Sequence, residues 1–200
     1  MSQTNTDKKT RGKAEVRRQQ ILDAAAQCFR KSGFHGASMA DIAKSFGMSA
    51  GHIYNYFESK EAIIEAMVQR DLSDTLARIA AIREKGDILN AMLGAVDDGV
   101  QRRIAQSQLD AEIVAEASRN PKVAQVVQQT DAVIRQEVAR LIESVQPAMA
   151  SQCPHMLAAK TTILMALFEG LMIRAIRNPN MQQAELGIAL KKVIEQMLQS

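Results

Sequence analysis

The sequence predicts an all-α protein of about nine helices, with a three-helix N-terminal unit joined to a larger helical bundle. Three observations point there. The 200 residues are 46% hydrophobic but only 4% aromatic, with no Trp, so the core must rest on Leu, Ile, Val, Met and Ala, which favour helix. Apolar residues recur at helical spacing along the chain, with no strand-like alternation. Pro121, Pro147, Pro154 and Pro179 all fall between periodic segments, where helices start and break.

Each element follows from local signals. Residues 1–12 read as a disordered polar arm, basic through Lys8, Lys9 and Arg11. A first helix is expected over 13–32, with Ile21, Leu22, Ala25, Cys28 and Phe29 on one face and Gly33 as its cap. Ser38-Met39-Ala40-Asp41 has the form of a capping box and opens a short second helix that ends at Phe46-Gly47. A third is expected over about 49–56. A fourth opens at Ser59-Lys60-Glu61, carries Ile64, Met67, Val68, Leu72, Leu76, Ile79 and Ile82, and stops at Gly86. Asp87 opens a fifth, with Leu89, Leu93, Val96 and Val100 on one side, and a sixth is expected over 109–119. A long helix fills the span between Pro121 and Pro147. Another runs from Pro154 to about Arg177, and the last covers about 181–198. The boundaries that follow are an arm at 1–12, a three-helix unit at 13–60, and a larger helical bundle at 61–200.

Charge is unevenly spread. Residues 1–60 hold ten Lys/Arg against five Asp/Glu, whereas the whole chain is only +3. A cation-rich segment suits a polyanionic partner, although a solvated surface has the same composition. Cys28 and Cys153 match no metal or redox spacing, and two unpaired thiols fit a reducing compartment such as the cytoplasm. The N-terminus has no apolar run of a signal peptide, and no uninterrupted apolar run reaches the ~18 residues of a spanning helix. Neither a secretory leader nor a membrane partner is therefore expected.

The stretch SMADIAKSFGMSAGHIYNYFESKE carries the chemistry. Two helices around one tight turn suit helix-turn-helix recognition. Ile42, Phe46, Met48 and Ile53 supply a small inner core, and Gly47 sits at the turn, where positive φ is easiest for Gly. With Ile53 and Phe57 inward, Ala50, Gly51, His52, Tyr54 and Asn55 lie on or near the outer face. That face suits a major groove about 12 Å wide. His52 and Asn55 are fitted to base edges, and the Tyr54 and Tyr56 hydroxyls to phosphate; Tyr56 equally suits packing. Lys60 and the first-turn amides of the fourth helix make a second phosphate site. Arg17 and Arg18 are assigned to phosphate with the basic arm, and Ser49 joins the DNA-contacting set.

Residues 14–62 closely resemble the DNA-binding domain of the TetR/AcrR family of transcriptional regulators, through ILDAAAQCF, GFHGASMADIA, FGMSAGHIYNYF and SKEAI. The resemblance implies a homodimer whose third helices enter adjacent major grooves of a near-palindromic operator. It implies a C-terminal domain that binds a small molecule and relieves repression. It places Ala40, Ala50, Gly51, His52 and Tyr54 where relatives contact bases, and Ser38, Tyr54, Tyr56 and Lys60 where they contact phosphates. Gly51, often bulkier in relatives, leaves the bases read open.

In the C-terminal part, Met92, Met165 and Met172, three of eleven Met, suit an adaptable apolar pocket or ordinary core. Phe168 and Glu169 join the candidate pocket. Run 163–173 is apolar except for Glu169 and Gly170, so burial on every side is expected. A carboxylate there needs a partner: Glu169 pairs with Arg174 or His155, caps a packing site beside Gly170, or faces a ligand cation. Glu112 and Glu116 reach a pocket or lie on a solvated face. The resemblance pairs the last two helices with their copies in a four-helix dimer interface, with Leu167, Leu171, Arg174, Leu190 and Ile194 as candidates.

The expected function is a sequence-specific DNA-binding regulator, a repressor released by an apolar or cationic effector and controlling efflux or a catabolic gene. The alternative is a constitutive or DNA-organising protein without an effector. No cofactor is expected. An enzyme is disfavoured: there is no nucleotide-binding Gly loop, metal-ligand cluster or His/Asp/Ser arrangement.

Overall fold

A computed structural model describes residues 3–199, with side chains described over 12–199. Among the described residues it has ten helices and no strand. The helices are α1 (Gln3–Gly36), α2 (Met39–Ser45), α3 (Ala50–Ile53), α4 (Lys60–Arg83), α5 (Ile88–Gly94), α6 (Val96–Ala117), α7 (Pro121–Val145), α8 (Pro147–Gln152), α9 (Pro154–Arg177) and α10 (Gln183–Gln199). The chain divides into two compact units, Met1–Val68 with Glu112–Ala124, and Gln69–Ala111 with Gln125–Ser200.

In the first unit, α1 is helical from Gln3, where a disordered arm was expected. Extending a helix that is already nucleated costs far less than starting one, so polar residues ahead of Lys13 continue it. The side chains of Lys8, Lys9 and Arg11 lie outside the described residues. The helix breaks at Gly33, whose φ of 71° and ψ of 167° are open mainly to Gly. Ser38 then caps α2 through a complete capping box. Its Oγ accepts from Asp41 N at 3.1 Å, and its own backbone N–H donates to Asp41 Oδ2 at 2.9 Å. Gly47, at φ 71°, turns the chain towards α3. The unit's buried residues include Ile21, Leu22, Phe29, Phe34, Ile42, Ile53, Phe57, Ile63, Ile64 and Met67.

Segment 112–124 is the piece of the first unit that linear domain boundaries miss. The Phe34 backbone N–H donates to Glu112 Oε2 at 3.0 Å, just beyond the break in α1. Glu116, nearly buried, has Oε2 2.9 Å from His35 Nε2, a salt bridge only when the imidazole is protonated. Arg119 Nη2 lies 4.0 Å from the same oxygen. Glu116 Oε1 accepts from Asn120 Nδ2 at 3.0 Å.

The second unit has its own apolar core. Ile79, Met92, Val96, Val100, Leu141, Ile142, Leu164, Leu171, Leu190, Ile194 and Leu198 are buried in it. Asp87 caps α5 by accepting from the Asn90 backbone N–H at 3.0 Å. The break expected after Val100 falls instead at Ala95, and α6 runs unbroken from Val96 to Ala117. Nothing in 100–109 stops a helix, whereas Gly94 lowers the cost of ending one.

Helix α9 departs from full burial. Lys160, Thr161, Leu164, Leu171 and Ala175 are buried, but Met156, Ile163, Ile173 and Ile176 are exposed, as are Ile188 and Val193 of α10. Glu169 is exposed too, so its carboxylate needs no buried partner within the chain. By length and composition α9 would pass for a membrane span. An uninterrupted-run criterion misses it because Lys160 and Glu169 interrupt the apolar residues. Lys160 is buried with its Nζ donating to Gln146 Oε1 at 2.9 Å, the packing of a helix against protein. Leu171, Leu190 and Ile194, expected at a dimer interface, serve the unit's own core, and Leu167 packs against it. Arg174 is exposed.

Candidate functional site

The first unit presents a polar surface on α2 and α3. Ser38, Ala40, Ser49, Ala50, Gly51, His52, Tyr54 and Asn55 are all exposed, while Ile53 and Phe57 between them are buried. The Ser49 side chain caps α3, accepting from His52 N at 3.3 Å. The regular helix is only four residues long and continues as a turn, with Asn55 N–H bonded to His52 O and Tyr56 N–H to Ile53 O. The His52 and Tyr56 rings lie 5.7 Å apart at 58°. A Cβ added at Gly51 meets nothing within 4 Å, so the position is open towards solvent.

Three cations assigned to phosphate have other partners. Lys60 Nζ donates to Phe34 O and to Ala37 O, each at 2.7 Å, and lies 4.5 Å from the Phe34 ring centroid. It ties the end of α1 to the start of α4. The first-turn amides are also partly taken, since Ser59 Oγ accepts from Ala62 N at 3.1 Å. Arg18 donates to Tyr56 O at 2.6 Å and stacks over the Phe57 ring at 4.3 Å, which fixes the end of the α3 turn. Arg17 lies over the Phe46 ring at 5.0 Å but remains exposed. Charge marked Arg17 and Arg18, while the helix start and the family resemblance marked Lys60; the carbonyls and rings that hold them are too distant in sequence to be read from it.

The second unit holds a cavity of about 880 Å³. Met92, Met165, Phe168 and Glu169 of the expected pocket line it, together with Ile134, Val138, Leu141 and Leu164. Met172 is not in its wall, and Glu112 and Glu116 are held against the end of α1 in the first unit. The sequence reading missed a set of cations in the lining: Arg78, Lys85, Arg102 and Arg103. Their signal was the Arg102-Arg103 pair, one turn beyond Gly99, which falls where the sequence suggested an interhelical gap.

Family comparison agrees with this architecture. Residues 21–67 match the model for bacterial regulatory proteins of the tetR family, and residues 85–199 match the BetI-type transcriptional repressor C-terminal domain. This chain belongs to the TetR family of transcriptional regulators. The HTH-type transcriptional regulator UidR of Escherichia coli is 35% identical over 133 residues, covering 66% of this chain and 68% of UidR. The HTH-type transcriptional regulator BetI of Burkholderia cenocepacia is 30% identical over 95 residues, 45% of this chain and 49% of BetI. Among solved structures, Salmonella enterica GusR superposes with a TM-score of 0.76 at 27% identity, covering 92% of this chain and 95% of GusR. TetR-family regulators bind DNA operators and small-molecule effectors as dimers, and they are not enzymes.

Proposed function

We propose that this TetR-family chain is a homodimeric, cytoplasmic repressor that binds a near-palindromic operator and releases it when a small molecule enters the cavity of the second unit. The observation that carries the reading is the pairing, in one chain, of an exposed recognition surface around His52 and Tyr54 with a largely apolar, partly open cavity of about 880 Å³. Cavities of this size suit small organic ligands. His52 and Asn55 read base edges, and Tyr54 and Ser38 contact phosphates. The exposed apolar residues of α9 and α10, namely Ile163, Ile173, Ile176, Ile188 and Val193, meet their copies in the dimer.

Release works by population shift. The ligand prefers a conformation whose two recognition helices no longer match a half-site spacing of about 34–36 Å. Its binding energy offsets DNA affinity only by its differential affinity for the two states. Selection of bound DNA from a random pool, repeated with and without candidate small molecules, tests the reading. It is expected to return a two-fold symmetric site whose recovery falls with an effective ligand. An asymmetric site, or no enrichment, would remove the operator model. Enrichment that no cavity-binding ligand reduces would favour a constitutive DNA-binding protein.

A further inference from the structure

The cavity lining combines apolar and cationic side chains. Met92, Ile134, Leu164 and Phe168 form the apolar part. The Phe168 ring lies directly on the backbone of α6, where a Cβ at Gly99 would stand 2.8 Å from its Cε1. One turn along the same helix, half-buried Arg102 faces the cavity beside Arg78 of α4. Arg78 Nη2 donates to Thr75 Oγ1 at 2.8 Å, and Arg103 is paired with Asp110 at 3.1 Å. Arg102 makes no hydrogen bond and no ion pair among the described residues. Burial lowers its pKa from the ordinary guanidinium value, and Arg78 adds to that; Asp71 and Asp98 pull the other way without reaching ion-pair distance.

The acidic residues in the lining do not cancel this. Asp87 is occupied in capping α5, and Asp98 and Glu169 are exposed, with Asp98 offsetting only part of the effect at Arg102. Two neighbouring guanidiniums in a partly desolvated wall repel each other, and a half-buried donor without an acceptor is costly. An oxyanion between them reverses both terms, since a guanidinium presents a planar fork that matches carboxylate and phosphate oxygens.

We propose that the effector of this regulator is an amphipathic organic anion, its carboxylate or phosphate held by Arg102 and Arg78 and its apolar body seated against Met92, Leu164 and Phe168. This rests on the cavity being the effector site, and it replaces the apolar or cationic ligand expected from sequence.

The test uses the full chain and a matched set of probes: decanoate, decyl phosphate, decanol and decyltrimethylammonium. Calorimetry without DNA reads binding, so its result does not depend on whether the operator model holds. Decanoate, decyl phosphate or both are expected to bind about tenfold or more tightly than decanol and the cation, and the two anionic arms report which oxyanion is preferred. Arg102→Gln should remove that preference and leave decanol affinity unchanged. Arg102→Lys should retain part of it. Arg78→Gln is the second variant should Arg102→Gln fail to fold, as judged by its helical circular dichroism. Equal or tighter binding of decanol or the cation, no binding of either anion, or full anion preference in folded Arg102→Gln and Arg78→Gln would overturn the proposal. Loss of operator enrichment with anion binding intact would instead overturn the repressor reading alone.

Discussion

Lys60 holds two carbonyl oxygens, and removing its ammonium leaves both without that donor. Lys60→Met should therefore cost the first unit about 2 kcal/mol in urea unfolding, within the range for hydrogen bonds to charged groups. Because the ammonium faces protein, the salt dependence of DNA binding should keep its slope in the folded variant; a slope lower by about one ion would return Lys60 to phosphate duty. Tyr54 behaves in the opposite way. It is 54% exposed, so Tyr54→Phe should change stability by less than about 0.5 kcal/mol while weakening DNA binding, as read by anisotropy. Asp41 adds a pH dependence. Hydrogen bonds from the Ser38 side chain and backbone hold its carboxyl below the ordinary value of 3.8. A depressed carboxylate stabilises the fold above its unfolded value and loses that contribution as pH falls through the folded one. The capping box of α2 should thus weaken only below about pH 3.8, and Asp41→Asn should flatten that acid limb in thermal unfolding.

Helix α3 is only four residues long, and Gly51 within it has low helix propensity. Gly51→Ala has open space for its Cβ and should raise stability by about 0.5–1 kcal/mol in the same unfolding assay. Helices α9 and α10 carry the dimer proposal. Ile163→Glu with Val193→Glu places charge on their exposed faces and should give monomers by light scattering, whereas Leu171→Glu would damage the core itself. The helical class, the capping box at Ser38, the turn at Gly47 and the long helix α7 were legible because each rests on residues within a few positions of one another. The run of α6 was not, because a periodicity reading has no signal to separate a gap from a polar face. The division of α9 into buried and exposed faces was equally hidden, since both faces are apolar. The roles of Lys60, Arg18, Glu112 and Arg102 depend on partners brought close only by folding. Their charge was visible, but what satisfies it was not.

At the scale of the whole molecule, one TetR-family chain carries both an exposed helix-turn-helix surface and a cavity of about 880 Å³, which the proposed repressor mechanism couples. Coupling between two sites is reciprocal in free energy, so a ligand that weakens DNA binding is itself weakened by DNA to the same degree. A thermodynamic cycle with the selected operator closes this directly. The measurement is the affinity of the cavity ligand for the free protein and for the protein saturated with operator. The account predicts weaker ligand binding on DNA, by the same factor as ligand weakens the operator. Equal ligand affinity with and without operator, at a cavity shown to be filled, would contradict it.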